Sequence, residues 1–117
     1  MSVTIYHNPK CSKSRKTLEL LRERNVAPVI VEYLATPPDG ATLGEILALL
    51  GKRPRELMRT GEPVYTELGL DDPAVDDAAL IAAMTEHPIL IERPIVVANG
   101  AAVIGRPPEN IDRLFDD

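Results

Sequence analysis

The chain has 117 residues, a net charge of −5 and a single cysteine, and 44% of its residues are hydrophobic. This length and composition predict one domain, residues 1–117, with a single core. No apolar run approaches the roughly 18 residues needed to cross a bilayer, and the first ten residues lack a signal-peptide core, so we expect a cytoplasmic protein without membrane contact. With three Tyr, one Phe and no Trp, we expect no nucleic-acid partner either.

The first predicted elements are a strand, a helix and a second strand. A β-prone run at 3–6 stops at a turn cluster, and residues from 12 to about 24 are good helix formers whose apolar face includes Ser14, Leu18 and Leu21. The run VIVEY at 29–33 is typical of a buried strand. This order predicts a βαβ unit with parallel strands.

The middle of the chain, residues 34–88, is predicted to be helical and irregular. Thr42 is predicted to cap a helix that ends at Gly51, and a further helix is predicted from about Asp76 to Glu86. No repeat or low-complexity linker is present, so we interpret the segment as an insertion within one domain.

The end of the chain predicts a hairpin and a final helix. Two β runs, 94–98 and 101–104, flank Asn-Gly, a strong hairpin signal, and a final helix follows. The order βαβ, helical stretch, ββα is that of an α/β thioredoxin-like fold with a helical insertion between the second and third strands. Other small α/β layouts share this order.

Cys11 lies at the predicted junction of the first strand and the first helix. Unpaired N–H groups and the helix dipole stabilise a thiolate there, and residues 1–24 carry six basic against two acidic side chains. The alternative is a buried inert cysteine, but polar and charged flanks favour a nucleophile. A Cys-x-x-Cys site would need a cysteine where Ser14 stands, so the site is monothiol and its disulfide chemistry needs a partner thiol.

Other candidate residues surround this cysteine or lie far from it in sequence. His7 could hydrogen-bond the thiolate or its neighbours, or be a surface or strand-end histidine. Arg59, Arg93 and Arg106 offer planar donor forks that suit tetrahedral oxyanions, but composition and periodicity cannot bring them together. With two His, one Cys and no carboxylates at ligand spacing, we expect no metal site.

Four separated motifs then make the chain recognisable: HNPKCSKSR at 7–15, EPVYTELGL at 62–70, HPILIERPIVV at 87–97 and GRPPE at 105–109. On these motifs the chain closely resembles the glutaredoxin-dependent arsenate reductase (ArsC) family, and the match runs nearly end to end. The resemblance implies a thioredoxin-like fold with a helical insertion and an enzyme that reduces arsenate to arsenite.

The resemblance also implies a reaction course and a set of site residues. The cysteine matched by Cys11 attacks arsenate, glutathione attacks the adduct, and glutaredoxin resolves the mixed disulfide. No bound cofactor is implied, since glutathione is a co-substrate. The implied residues are Cys11 and His7 as catalytic, Arg59, Arg93 and Arg106 as oxyanion-binding, and Asn8, Ser14, Arg15 and Pro94 as supporting, with Pro94 at the family's cis-proline position.

Two other functions compete with this one. A monothiol glutathione-dependent thiol-disulfide oxidoreductase would have the same lone cysteine, but disulfide exchange does not require three oxyanion-binding arginines. An Spx-like regulator that binds RNA polymerase shares the fold, but those with a redox switch carry Cys-x-x-Cys near the N-terminus. Ser14 therefore counts against that mechanism.

Overall fold

The computed structural model describes residues 2–115. The chain divides into two compact units. The first, here called the sheet unit, contains the residues up to Thr36 and those from Arg93 onward; the second, the helical unit, is Pro37–Glu92. The helical unit is the predicted insertion, and it lies in sequence between the second and third strands.

Within the described residues, the sheet unit has four strands, one α-helix and a C-terminal 3₁₀ helix. In chain order they are β1 Val3–His7, α1 Ser12–Glu23, β2 Val29–Glu32, β3 Ile95–Ala98, β4 Ala101–Ile104 and the 3₁₀ helix Pro108–Leu114. The strand order is β2-β1-β3-β4, with β1 parallel to β2 and the other two pairs antiparallel. This confirms the predicted thioredoxin-like α/β fold with a helical insertion.

Four chain segments meet at one end of the strands, here called the strand-end edge of the sheet. The register pairs His7 with Glu32, Tyr6 with Ile95, and Ile95 with Ile104. The carboxyl ends of β1, β2 and β4 and the amino end of β3 therefore lie along the same edge. The residues that follow β1, β2 and β4 and those that precede β3 meet there.

The core of the sheet unit follows two sequence periods. β1 alternates buried and half-buried residues, and α1 buries Ser14, Thr17, Leu18 and Leu21. The predicted apolar face of α1 is therefore confirmed. The core cluster consists of Val3, Ile5, Leu18, Leu21, Val96, Ala98, Ile111 and Leu114.

The predicted final helix is present, as the 3₁₀ helix Pro108–Leu114. Two local predictions were wrong. The run at 29–33 was predicted to be a buried strand, but β2 is an edge strand, and Val29 and Ile30 are 59% and 40% exposed. Thr42 is not a cap: Asp39 is, because its carboxylate accepts from the Thr42 N–H at 2.8 Å.

The helical unit contains α2 Gly40–Leu50, α3 Pro63–Glu67 and α4 Asp77–Glu86, with 3₁₀ helices at Pro54–Leu57 and Pro88–Leu90. α2 ends as predicted at Gly51, whose φ of 66° is the left-handed conformation that glycine adopts most easily. An isolated antiparallel bridge joins Met58 to Ile91. Within residues 2–115, no helix has the length and apolar character required to span a membrane.

Candidate active site

A tightly bonded loop connects β1 to α1 and positions Cys11. The Asn8 Oδ1 accepts from the Lys10 N–H at 3.0 Å, and the Asn8 carbonyl accepts from the Cys11 N–H at 3.0 Å. Arg15 reaches back from the helix and donates from Nη1 to the Pro9 carbonyl at 3.0 Å. Asn8 and Arg15 therefore fix the path of the chain into the helix.

Cys11 is the N-cap residue of α1. Its backbone is extended, with φ −95° and ψ 123°, and its carbonyl accepts the helical hydrogen bond from the Arg15 N–H at 2.9 Å. The thiol makes no capping hydrogen bond. It lies at the end of the helix where unpaired N–H groups and the helix dipole favour an anion.

The pKa of Cys11 is lowered from its ordinary value by this setting. Burial is the largest single influence and opposes ionisation, but the backbone N–H of Ser14 and the guanidinium of Arg93 favour the thiolate. The backbone N–H of Lys13 and the positive charge of Arg93 act in the same direction. Cys11 is a free, half-buried thiol, so a larger share of it is ionised at neutral pH than in an isolated cysteine.

His7 and Ser14 form a buried polar pair beneath the loop. The His7 Nδ1 lies 2.6 Å from the Ser14 Oγ, and the Asn8 N–H donates to the same oxygen at 3.0 Å. His7 is the last residue of β1, so the structure joins it to a neighbour of Cys11. Ser14 is fully buried and links the strand, the loop and the helix.

The imidazole of His7 favours its neutral form. Burial is the main cause of its lowered pKa; Glu32 opposes the shift, whereas the charges of Arg22 and Arg15 add to it. The Ser14 hydroxyl accepts from the Asn8 N–H and can either donate to the His7 Nδ1 or accept from it, so it can pair with both tautomers of the neutral ring.

Arg93 connects Cys11 to a residue that sequence reasoning missed. Its guanidinium interacts with the thiol of Cys11 and with the hydroxyl of Tyr33, and Tyr33 is only 1% exposed. Burial lowers the pKa of Arg93, but these two groups outweigh burial and raise it, so the guanidinium stays charged. Tyr33 directly follows β2. The sequence predicted that β1 and β2 are parallel, and the carboxyl ends of parallel neighbouring strands lie side by side, so Tyr33 could have been placed near the residues that follow β1.

Pro94 packs against the segment that follows β4. The Gly105 N–H donates to the Pro94 carbonyl at 2.8 Å, and the peptide bond between Arg93 and Pro94 is cis, as is the one between Arg106 and Pro107. A β-carbon at Gly105 would lie 2.6 Å from the Thr17 Oγ1 and 2.8 Å from the Pro94 Cγ. Only glycine fits between α1 and Pro94 without displacement of a neighbour.

The remaining predicted arginines have different surroundings. Arg106 follows β4 at the same sheet edge; its side chain is exposed and its carbonyl accepts from Asn110 Nδ2 at 3.2 Å. Arg59 belongs to the helical unit, where its Nη1 donates to Glu92 Oε1 at 2.9 Å and its Nε lies 3.6 Å from Glu62 Oε2. The sheet unit therefore gathers His7, Asn8, Cys11, Ser14, Arg15, Arg93, Pro94 and Arg106 at one edge.

The site contains no arrangement suited to a metal ion. Among residues 2–115, no group of three or more His, Cys, Asp and Glu side chains is placed to hold one. The second histidine, His87, lies at the junction of α4 and the following 3₁₀ helix, and its side chain makes no capping hydrogen bond there.

Comparison with known proteins identifies one family. The family model described as "ArsC family" matches residues 6–114. The chain is 58% identical to "Uncharacterized protein YfgD" of Escherichia coli K12 over 110 residues, 93% of this chain and 92% of that one. It is 52% identical to "Arsenate reductase" of Neisseria meningitidis serogroup B over 114 residues, 97% of each chain.

Two solved structures of similar sequence also superpose closely on this chain. A structure described as "Arsenate reductase from Vibrio cholerae" superposes with a TM-score of 0.95 at 53% identity, covering 97% of this chain and 98% of that one. A "Putative arsenate reductase from Yersinia pestis" superposes with a TM-score of 0.93 at 51% identity, covering 96% and 99%. Both superpositions include almost the whole chain.

Proposed function

The chain belongs to the ArsC family, and from this membership and the surroundings of Cys11 we propose that it is an arsenate reductase that forms arsenite. The observation that carries the proposal is a single thiol of lowered pKa at a helix N-terminus, facing Arg93. The names of relatives at 52% identity support the same activity.

In the first step Cys11 condenses with arsenate. The sulfur attacks arsenic, a sulfur–arsenic bond forms, and one arsenate oxygen leaves as water, so HAsO₄²⁻ and the thiol give a thiol-arsenate adduct with arsenic still in the +5 state. A thiolate is the reactive form, and the helix N-terminus and Arg93 increase its population. The doubly charged oxyanion needs compensating positive charge, which Arg93 and Arg106 supply at this edge.

In the second step glutathione attacks the sulfur of the adduct. A disulfide forms between Cys11 and glutathione, the sulfur–arsenic bond breaks, and its electron pair leaves with arsenic as arsenite. Two thiol sulfurs are each oxidised by one electron, and arsenic gains two. A glutaredoxin thiol then takes the glutathionyl group and restores Cys11.

The surroundings of Ser14 support a scheme with an external reductant. The position that would hold a second thiol is Ser14, a fully buried hydroxyl bonded to His7 and Asn8. Cys11 is the only cysteine of the chain, so the adduct has no internal thiol to resolve it. Glutathione and glutaredoxin are the proposed partners, and the reducing cytoplasm is the proposed location.

Arg59 enters the proposal through the family resemblance. The family's third oxyanion-binding arginine falls on this residue, which the helical unit holds between two carboxylates. We assign it the same role, as a third positive charge for the oxyanion.

The test is arsenate-dependent oxidation of NADPH, coupled through glutathione, glutaredoxin and glutathione reductase. We expect turnover that requires both thiol components and that Cys11→Ser abolishes. A wild-type rate equal to that of Cys11→Ser would overturn the proposal. Reduction of a glutathionylated peptide without any arsenate-dependent rate would instead identify the monothiol oxidoreductase.

A further inference from the structure

Two carboxylates hold the guanidinium of Arg59 inside the helical unit. The Nη1 donates to Glu92 Oε1 at 2.9 Å, and the Nε lies 3.6 Å from Glu62 Oε2. All three side chains are about three-quarters buried, with 23% of Arg59, 26% of Glu92 and 23% of Glu62 exposed. At this degree of burial, the charges interact more strongly than they would on an open surface.

The backbone fixes Arg59 and Glu92 beside each other. Arg59 N–H donates to the Leu90 carbonyl at 2.7 Å, and Glu92 N–H donates to the Leu57 carbonyl at 2.8 Å. Between these two bonds, the bridge pairs Met58 with Ile91, and both side chains are buried. The ion pair is therefore part of a short antiparallel ladder.

The local charge is unfavourable for an incoming anion. One guanidinium faces two carboxylates, which gives a net charge of −1 for the three side chains. Glu92 already accepts from Nη1, one of the nitrogens that an oxyanion would use. A tetrahedral oxyanion at Arg59 must either replace this carboxylate or bind beside it against like-charge repulsion.

We propose that Glu92 is an internal competitor for Arg59: its carboxylate competes with tetrahedral oxyanions for Nη1 and so weakens their affinity. The inference rests on the role of Arg59 in the proposed function. Glu62, at 3.6 Å from Nε, adds repulsion without a direct hydrogen bond. Glu92 thus sets how strongly an oxyanion must bind before it displaces the carboxylate from Arg59.

The variant that separates charge from hydrogen bonding is Glu92→Gln. The amide retains an oxygen that can accept from Nη1, so Arg59 keeps its partner while one negative charge is removed. Even with the screening of bulk water, unit charges about 6 Å apart repel enough that we expect the affinity for a dianion to rise by at least about 3- to 10-fold. In measurements of turnover, we expect the tighter binding to lower the KM for arsenate, with a smaller change in kcat.

Binding is measured directly by calorimetry, with arsenate and sulfate as probes, in the Cys11→Ser background where no adduct forms. The matched control is Glu67→Gln, which removes one exposed carboxylate from the same unit and changes the net charge equally. We expect tighter binding of both oxyanions to the Glu92→Gln protein than to the Glu67→Gln protein.

Unchanged or weaker oxyanion binding in Glu92→Gln relative to Glu67→Gln would overturn the competitor role. Absence of oxyanion binding in all of these proteins would overturn it too. The proposed function fails separately: a Cys11-containing protein that binds arsenate more tightly as Glu92→Gln but never reduces it would disprove the reductase and retain the competitor.

Discussion

The Oγ of Ser14 lies 2.6 Å from Nδ1 of His7 and also accepts a hydrogen bond from the Asn8 N–H. Ser14 stands three residues after Cys11, the position of the second thiol in a dithiol site. The hydroxyl therefore joins three elements, β1, the loop and α1, at the point where a dithiol enzyme would keep its resolving cysteine.

Loss of this hydroxyl is expected to destabilise the protein. In Ser14→Ala, the buried His7 Nδ1 and the Asn8 N–H both lose their partner, and a buried unsatisfied polar group costs about 1–3 kcal/mol. We expect a decrease of that size in the free energy of unfolding, measured by urea denaturation. Ser12→Ala, on the exposed side of the same helix, is the matched control and should change stability much less; equal losses would contradict the role of the pair.

The thiol of Cys11 is expected to react at a lower pH than an ordinary cysteine. The pKa of Cys11 is lowered because the Ser14 N–H and Arg93 outweigh the opposing effect of burial. Because only the thiolate reacts, the rate of iodoacetamide alkylation should rise with pH through a midpoint below the roughly 8.5 of a free cysteine.

Arg93→Gln should move that midpoint upward, since one of the groups that stabilise the thiolate is removed. Arg113→Gln is the matched control, because it removes one exposed positive charge from the same unit. A midpoint that shifts equally in both variants would show that net charge, rather than contact with Arg93, sets the reactivity of Cys11.

The fold could be predicted where one local pattern decides the structure. The period of Ser14, Leu18 and Leu21 gave the buried face of α1, and the Asn-Gly turn gave the hairpin of β3 and β4. The exposure of β2 could not be predicted from its apolar composition, because it depends on whether the strand lies in the centre of the sheet or at its edge. Val29 and Ile30 are as apolar as central-strand residues but lie at the edge.

The site could be predicted only where its residues are close in sequence. Cys11 and Ser14 belong to one loop and one helix, so their relation follows from local structure. The contact of Arg93 with Cys11 depends on β3 pairing beside β1, and the ion pair of Arg59 with Glu92 spans 33 residues. Such contacts come from strand register, which composition and periodicity do not encode.

Tyr33 is expected to orient Arg93 toward Cys11. Tyr33→Phe removes the hydroxyl that interacts with the guanidinium and keeps the ring that fills the buried space. We expect the alkylation midpoint of Cys11 to move upward by part of the shift seen in Arg93→Gln, together with a higher KM for arsenate. Tyr65→Phe is the matched control, since Tyr65 also accepts a hydrogen bond from an arginine, Arg55 at 2.5 Å, within the helical unit.

If Tyr33→Phe and Tyr65→Phe lose similar stability but leave the alkylation midpoint unchanged, Tyr33 is only a packing residue. The midpoint is informative because a general loss of stability does not alter the ionisation of a thiol in the folded protein.

Gly105 is expected to tolerate no side chain. A β-carbon there would lie 2.6 Å from the Thr17 Oγ1 and 2.8 Å from the Pro94 Cγ, and both residues are buried. Relief of this overlap requires α1 or the Pro94 segment to move, so Gly105→Ala should lower the free energy of unfolding by about 1–3 kcal/mol. Arsenate turnover should fall as well, because Pro94 is adjacent to Arg93.

Gly44, unlike Gly105, has space for a side chain. It lies inside α2, and a β-carbon there would meet no atom within 4 Å. Gly44→Ala should therefore stabilise the protein by about 0.5–1 kcal/mol, through better helix propensity. Thermal unfolding of both variants tests this contrast: a Gly105→Ala protein as stable as Gly44→Ala would mean that the overlap with Thr17 and Pro94 is relieved without loss of stability.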